Sequence, residues 1–178
     1  MFSTPSNYMA QVRSGDVRVL GRVSGASLPD PGLLMAEALG AVLAAPTVEA
    51  ARDAIVRAAV RIGAGSGGAL LRSGADDRLS LTGATVPGLG DIPAYQPSLA
   101  RRALRAGRPL TAAAADEGWA PPAWREALPG RQVVAVPVVV GDDPHVLLVV
   151  RDADVPFVDA EVDRLAALLR VVLYSPNG

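Results

Sequence analysis

His145 is the single histidine of this sequence and the first residue to weigh for chemistry. An imidazole can serve as a general base, a metal ligand or a haem ligand. His145 directly follows Pro144 at the start of an apolar run, and no second ligand stands at metal spacing from it. We therefore expect a partly exposed residue beside a hairpin turn, without a catalytic role.

Paired carboxylates occur twice, at Asp76–Asp77 and at Asp142–Asp143. General acid–base catalysis needs a carboxylate with a shifted pKa inside a pocket. Both pairs follow glycine in turn-like sequences, where aspartate side chains bond to nearby backbone, so we expect solvated turns. The chain has no cysteine and no Gly-x-Ser-x-Gly frame, which excludes thiol chemistry and argues against a hydrolase. We predict that the chain is not an enzyme and holds no cofactor and no metal.

Arginines and the few aromatic residues are the candidates for ligand recognition. Arg101, Arg105 and Arg108 follow each other at spacings of four and three, on one helical face, where guanidinium groups can hold an anion. A solvated helix face is the alternative, and we favour it. Trp119 and Trp124 lie in a long irregular stretch, where they either stack on a flat ligand or close the core beneath a loop. Both alternatives stay open.

The composition predicts one globular domain with a substantial core. Half of the 178 residues are hydrophobic, and the net charge of −1 predicts no affinity for nucleic acid or for anionic membranes. All 17 basic residues are arginine, which indicates a GC-rich genome. Neither a signal peptide nor a run of about 18 apolar residues is visible. We expect a cytoplasmic protein that does not enter the membrane.

Helices at both ends and hairpins between them make up the predicted elements. We interpret residues 1–32 as an extension or linker with one short strand at Val17–Leu20. Proline, glycine, serine and threonine then mark the element boundaries, because they cap helices or break regular structure. The predicted elements are a helix over 33–45, a second helix after Thr47 with the buried stripe Val48, Ala51, Ile55, Ala59 and Ile62, a hairpin of 69–73 with 78–85, a helix over 99–106 between Ser98 and Gly107, a hairpin around Gly141, and a closing helix.

The closing helix carries an apolar pattern of the coiled-coil type. Its apolar residues follow spacings of four and three, which suits a core stripe and equally a seam between two helices. Leu34 contributes to a similar apolar surplus on the first helix. We predict a homodimer built on these two helices, through Leu34, Val158, Val162, Leu165, Leu169 and Val172.

Four segments, in this order, resemble a GAF domain over Leu33 to Leu173. They are ARDAIVRAAVRIGAGSGGALLRS, SLARRALRAGRPL, VVAVPVVVGDDPHVLLVV and PFVDAEVDRLAALLRVV. The resemblance implies an α+β fold for residues 33–175. It further implies a six-stranded antiparallel sheet, with the N- and C-terminal helices packed on one face and a ligand pocket on the other. In that pocket the candidate ligand-binding residues are Tyr95, Arg101, Arg105, Asp116, Trp119 and Trp124.

Two departures from the family narrow the expected ligands. Cyclic-nucleotide-binding members carry an Asn-Lys…Phe…Asp-Glu signature, whereas this chain has no lysine and its asparagines are Asn7 and Asn177. Members that attach a bilin or reduce methionine sulfoxide use cysteines that this chain lacks.

The resemblance then implies a non-catalytic sensory or regulatory module. It would bind a small molecule non-covalently and signal through helix packing to a separate partner protein. The alternative is a ligand-free scaffold for dimerisation, and an enzyme is the third hypothesis. An open cavity with convergent polar groups would favour the sensor, and a cavity filled with side chains would favour the scaffold.

Overall fold

The computed structural model describes residues 30–173, which form five α-helices and five β-strands. Most of the predicted extension, including its strand at Val17–Leu20, lies outside the described residues. The first helix begins at Pro31, after the N-cap Asp30. The elements are α1 Pro31–Leu43, α2 Val48–Ile62, β1 Gly67–Ser73, β2 Leu79–Ala84, α3 Leu99–Ala106, β3 Leu110–Ala113, a 3-10 turn Glu117–Trp119, α4 Pro122–Ala127, β4 Gln132–Val140, β5 Asp143–Arg151 and α5 Asp159–Leu173.

The strands form one antiparallel sheet in the order β2-β1-β5-β4-β3. The prediction of six strands is wrong for the described residues, which contribute five. Between β2 and α3 the chain makes only a single bridge to the sheet, from Ile92 to Leu79. Pro93 follows at once, and a proline has no N–H with which to continue a ladder.

The β4–β5 hairpin supplies two central strands of the sheet. Its strands pair from Gln132 with Arg151 to Val140 with Asp143, so the turn consists of Gly141 and Asp142. Gly141 has φ 59°, as the first position of a type II′ turn requires. Pro137 lies beyond the four β4 residues that pair with β3, at an edge position. Such an edge position suits a residue without an N–H, which cannot donate to a second neighbouring strand.

Helices α1, α2 and α5 cover one face of the sheet. Apolar side chains from β1, β4 and β5 meet them there in a continuous core. Two glycines allow α2 to approach the sheet closely. A Cβ on Gly68 would lie 2.7 Å from the Leu148 carbonyl and 3.0 Å from Val60, and a Cβ on Gly83 would lie 3.1 Å from the Arg52 backbone. The predicted stripe of α2 is correct for Ile55, Ala59 and Ile62, which are buried. Ala51 is half-buried, and Val48, the first residue of the helix, is exposed.

A buried arginine fastens the ends of three elements on this face. The guanidinium of Arg151, at the end of β5, donates to the Gly63 carbonyl after α2 at 3.1 and 2.6 Å. It also pairs with Glu161 of α5 at 2.7 Å and lies 4.1 Å from the centre of the Phe157 ring. Burial acts to raise the pKa of Glu161, but hydrogen bonds from Arg151 and the Val158 N–H outweigh it, so the pKa lies below its ordinary value.

Candidate functional site

The face of the sheet opposite the three helices is where a ligand pocket was expected, and side chains fill it. Helix α3, helix α4, the 3-10 turn and the loop before α3 cover this face. Sixteen buried residues form a second core there, with partly buried neighbours around them. The largest of its fully buried side chains are Leu71, Leu79, Ile92, Leu99, Trp119, Leu128 and Leu148.

The two tryptophans belong to this second core. Trp119 is 1% exposed and Trp124 is 2% exposed. Trp119 donates its indole N–H to the Ala114 carbonyl at 3.1 Å, and Trp124 donates to the Gly90 carbonyl at 3.0 Å. The chain itself therefore buries the apolar surface of both rings and provides an acceptor for each indole N–H. Of the two interpretations left open by the sequence, this geometry matches closure of the core beneath the loops.

Arg101 is buried as well, and it ties two loops to α3. Its guanidinium donates to the backbone carbonyl of Asp77 at 2.9 Å and of Pro93 at 3.1 Å, and it also contacts the Gln96 carbonyl. The Asp77 carboxylate lies 3.7 Å from Nε. Asp77 itself has φ 62°, a left-handed conformation that aspartate tolerates better than most residues. Arg101 thus holds the β1–β2 turn and the loop before α3 together, with its charge directed at the protein itself.

The other three predicted ligand residues lie at the surface. Arg105 is mostly exposed and pairs with Asp77 at 2.8 Å. Asp116 accepts a hydrogen bond from the Gly118 N–H at 3.0 Å and so caps the 3-10 turn. Tyr95 is 83% exposed. Of the six predicted residues, two tryptophans lie in the core, Arg101 connects two loops to α3, and the other three lie at the surface. The six residues do not converge on one cavity.

An open groove lies at the end of α3, against the β4–β5 hairpin. Its volume is about 440 Å³, within the range of small-molecule sites. Leu104, Pro137 and Pro144 contribute apolar surface, and Arg105 and Arg170 contribute positive charge. Arg105 is the one predicted ligand residue that lines this groove. The groove is a surface feature and is separate from the filled interior of that face.

His145 is more buried than predicted, and it lies on the helix-covered face. It is 7% exposed, because its side chain points the same way as that of Leu147 two residues along β5. Its Nδ1 is 3.0 Å from the Asp143 carbonyl. Burial lowers the pKa of His145 below its ordinary value, against the opposing effect of Asp143. In residues 30–173 no group of three His, Asp or Glu side chains is placed to hold a metal ion.

Two aspartates at the edge of the sheet were not singled out in the sequence. Asp91 accepts a hydrogen bond from the Leu81 N–H at 2.9 Å, and Asp53 accepts one from the Ala84 N–H at 3.2 Å. Both donors belong to the edge strand β2. Covered N–H groups and added charge make this edge a poor template for another strand. The sequence offers no local signal for either contact, since Asp53 comes from α2.

Most of the predicted dimer residues serve the core of the chain itself. Leu34, Val162, Leu165, Leu169 and Val172 are all buried among the helices and the sheet. Val158 is 55% exposed, just before α5. A partner's helix has no access to the buried five while this core stays closed. The homodimer stays a prediction, and Val158 is the exposed member of the predicted set.

Comparisons with known proteins agree with this architecture. The family model for the GAF domain matches residues 45–172. Among solved structures, the GAF domain of a phosphoenolpyruvate-protein phosphotransferase from Coxiella burnetii is similar, with TM-score 0.67 and 12% identity over 83% of this chain and 92% of that one. The free methionine-R-sulfoxide reductase from Neisseria meningitidis has TM-score 0.65 and 13% identity, over 81% of this chain and 86% of that one.

A photoreceptor domain is similar as well. The chromophore-binding domain of Stigmatella aurantiaca bacteriophytochrome has TM-score 0.60 and 11% identity, over 86% of this chain and 62% of that one. At such identities these likenesses show the fold alone. No curated protein sequence matches the chain. None of the helices within residues 30–173 is long and apolar enough to cross a membrane.

Proposed function

This chain belongs to the GAF domain family, whose members are typically sensory or regulatory, and we propose that it is a non-catalytic regulatory module that acts through protein–protein contact without a ligand in its interior. The observation that carries the proposal is the filled face of the sheet. Trp119 and Trp124 are buried in this face, and backbone carbonyls of the same chain accept hydrogen bonds from both indole N–H groups. A partner protein would read the module through its surface helices.

Energetics support a ligand-free interior. A flat ligand that took the place of an indole ring in this core would have to expose that ring. Exposing a buried aromatic side chain costs about 1.5–3 kcal/mol in apolar burial alone. The displaced ring would also leave the Gly90 or Ala114 carbonyl without its donor, at about 1–3 kcal/mol if that carbonyl remained buried. The closed state needs neither rearrangement.

Within residues 30–173, the side chains that could take part in catalysis are either exposed or bound to other groups of the protein. Asp142 lies in an exposed turn, and Asp143 is bound to Arg72 at 2.7 Å. Asp116 caps the 3-10 turn, and Arg101 faces backbone carbonyls. A methionine sulfoxide reductase has a similar structure. This chain, however, has no thiol for cysteine-based reduction of a sulfoxide.

The test is a ligand screen with a matched cavity variant. Bound ligand at a hundred times its Kd adds about 2.7 kcal/mol, which a thermal-shift assay detects readily. We expect no shift of Tm for the wild type across a metabolite panel that includes nucleotides, haem and bilins. Trp124→Ala should instead bind small apolar probes such as benzene, because an apolar cavity of that kind accepts them.

Intrinsic tryptophan fluorescence would reveal a ligand bound in this face. Both tryptophans of the sequence lie in this face, so their emission reports directly on it. A metabolite that raises the wild-type Tm and changes the tryptophan emission would contradict the proposal and restore the interior sensor.

A second candidate function is a sensor that uses the open groove. Arg105 and Arg170 line it together with apolar side chains, which suits an organic anion with an apolar body. Binding should then weaken about tenfold or more in Arg170→Gln, as expected for loss of a charge-assisted hydrogen bond. Arg108→Gln is the control, since Arg108 does not line the groove. Equal affinity of both variants would reject this candidate.

A further inference from the structure

Helix α3 carries two arginines whose guanidinium groups approach the same carboxylate oxygen. Oδ2 of Asp77, in the β1–β2 turn, lies 2.8 Å from Nη2 of Arg105 and 3.7 Å from Nε of Arg101. The two arginines are four residues apart, so they lie on the same side of α3. One aspartate therefore supplies the negative charge that faces two guanidinium groups.

The Nε–H of Arg101 is a buried donor that lacks an acceptor. The two terminal nitrogens of this guanidinium donate to the backbone carbonyls of Gln96, Pro93 and Asp77. Nε, in contrast, has no hydrogen-bond partner within residues 30–173, since 3.7 Å to the Asp77 carboxylate is too long for one. Leaving a buried charged donor without an acceptor is costly. An oxygen that approached Nε to about 2.9 Å would therefore be bound favourably.

Asp77 lies over this donor, but its side chain is able to rotate away. The carboxylate is 53% exposed, and its partner Arg105 is 70% exposed, so the pair between them is a surface pair. The backbone of Asp77 is held separately, because its carbonyl accepts from Nη2 of Arg101 at 2.9 Å. Rotation of the aspartate side chain alone therefore uncovers Nε of Arg101 and releases Arg105. Exposed side chains make such rotations within nanoseconds.

The charge of this region favours an oxyanion over a neutral ligand. Residues 98–110 contain four arginines and no acidic residue, and each guanidinium keeps its charge at physiological pH and offers N–H donors in a fixed geometry. Asp76, the neighbour of Asp77 in the turn, uses its carboxylate to accept from the Arg78 N–H at 3.2 Å. Once the Asp77 side chain turns to solvent, the two guanidinium groups are therefore ready for another anion.

We propose that Arg101 and Arg105 form a binding site for an oxyanion, a carboxylate or a phosphate group, and that the Asp77 carboxylate is its built-in competitor. The incoming oxyanion accepts from Nε of Arg101 and from the Arg105 guanidinium in place of Asp77. The site goes beyond the proposed function, because it lies at the surface and leaves the buried tryptophans in place. In the wild type, Asp77 lowers the affinity for free anions, so the displacing anion is abundant or belongs to a ligand with further contacts.

Phosphate titration of Asp77→Asn tests the site. Asparagine tolerates the left-handed conformation of residue 77, φ 62°, as aspartate does, so the turn is kept. We expect this variant to bind inorganic phosphate with a Kd on the order of 1 mM, as a small anion held by few contacts does. The wild type should bind it at least about tenfold more weakly. Sodium chloride at equal ionic strength is the reference, because salt alone screens charges.

NMR locates the bound anion. In the nitrogen–proton spectrum of labelled Asp77→Asn, the Nε–H signal of Arg101 should shift on titration with phosphate, because this donor gains an acceptor. Acetate is titrated in parallel. A saturable shift with either anion supports the site, and the anion that binds more tightly identifies its ligand class.

Asp143→Asn is the matched control. It removes a similarly exposed carboxylate from Arg72, which is itself about half exposed, and it should bind phosphate no better than the wild type. In the Asp77→Asn background, Arg105→Gln should weaken phosphate binding at least about fivefold. Arg170→Gln, in the open groove, should leave that affinity unchanged.

The outcomes separate this site from the proposed function. An Arg101 Nε–H signal that does not respond to phosphate or acetate in Asp77→Asn overturns the oxyanion site. Loss of binding in Arg170→Gln rather than in Arg105→Gln also overturns it, and neither result touches the ligand-free interior. Phosphate should leave the tryptophan emission unchanged. A change of that emission would contradict both the surface position of the site and the ligand-free interior.

Discussion

The two faces of the sheet are both closed, but by different kinds of structure. Three long helices cover one face, and their side chains interlock with β1, β4 and β5 in a continuous core. Short α3, the six-residue α4, a 3-10 turn and loops cover the other face, where two tryptophans and a buried arginine add to the buried residues of α3. A face covered largely by loops can therefore also be closed, when large rings and internal hydrogen bonds supplement helix packing.

The difference between the faces has a consequence for how substitutions affect stability. In the loop-covered face, a few large residues do most of the filling. Trp119, Trp124 and Arg101 each donate to backbone carbonyls outside their own helix or turn. In the helix-covered face many medium-sized side chains share the task. Single substitutions should therefore have larger effects beneath the loops than beneath the helices.

Trp124→Ala should cause the largest loss of stability, about 3–5 kcal/mol in the free energy of unfolding. The ring is buried, and its loss also leaves the Gly90 carbonyl without a donor. Denaturant unfolding measures the effect. Tyr95→Ala is the control and should change the stability by less than about 0.5 kcal/mol, because surface substitutions do. A small effect of Trp124→Ala would mean that the loop-covered face is loosely packed and ready to open.

Leu165→Ala should cost about 2–5 kcal/mol, because Leu165 is fully buried between α5 and the sheet. Denaturant unfolding measures the effect. Val158→Ala, at an exposed position before α5, is the control and should change the stability by less than about 0.5 kcal/mol. A small effect of Leu165→Ala would mean that α5 packs loosely on the sheet.

Arg101→Gln should destabilise the loop-covered face by about 1–3 kcal/mol, since the shorter side chain leaves carbonyls of Asp77 and Pro93 without their donor. Hydrogen exchange should accelerate in residues 76–78 and 92–98 before it changes elsewhere. Arg105→Gln removes only an exposed pair and should change the stability by about 0–1 kcal/mol. If exchange in Arg101→Gln accelerated equally throughout the chain, this arginine would not be what holds the two loops together.

The smallest predicted effect is a pH dependence that arises on the helix-covered face. The folded pKa of Glu161 is lowered, so the folded state binds its proton less readily than the unfolded state. Its stabilising contribution is complete above the ordinary glutamate pKa and is lost as the pH falls through the lowered value. Glu161→Gln should be less stable near neutral pH and should lose less stability on acidification. Parallel stability curves for the two proteins would contradict this assignment.

Local signals in the sequence account for the elements that were predicted correctly. Ser98 and Gly107 delimit α3 as expected, because a hydroxyl accepts from the Arg101 N–H at 3.2 Å and Gly107 takes φ 62°. Thr47 caps α2 in the same manner, through the Ala50 N–H. Such contacts span only a few residues, so the residue types themselves determine them.

Elements that depend on distant partners were missed or misjudged. Strand β3 has four residues, two of them alanine, and it exists because β4 pairs with it. Helix α4 begins at Pro122, directly after Pro121, in a stretch that looked irregular. The sixth strand was expected from the resemblance, yet the chain before α3 makes a single bridge. Short elements carry too little periodicity to be seen without their neighbours.

The amino-acid sequence by itself determined the order of elements, their caps and the apolar stripes of the helices, because these follow from spacing and local hydrogen bonds. Tertiary structure alone decided how those stripes are used. The stripe on α5 looked equally suited to a core or to a dimer seam, and packing against β4 and α2 buried it. The sequence likewise left the tryptophans open to a ligand or to the core, and in the fold both are buried with loop carbonyls as acceptors of their N–H groups. An apolar side chain leaves water as favourably for the core as for a ligand or a second chain, because the hydrophobic effect is non-directional. Only the fold therefore determines which of these it contacts.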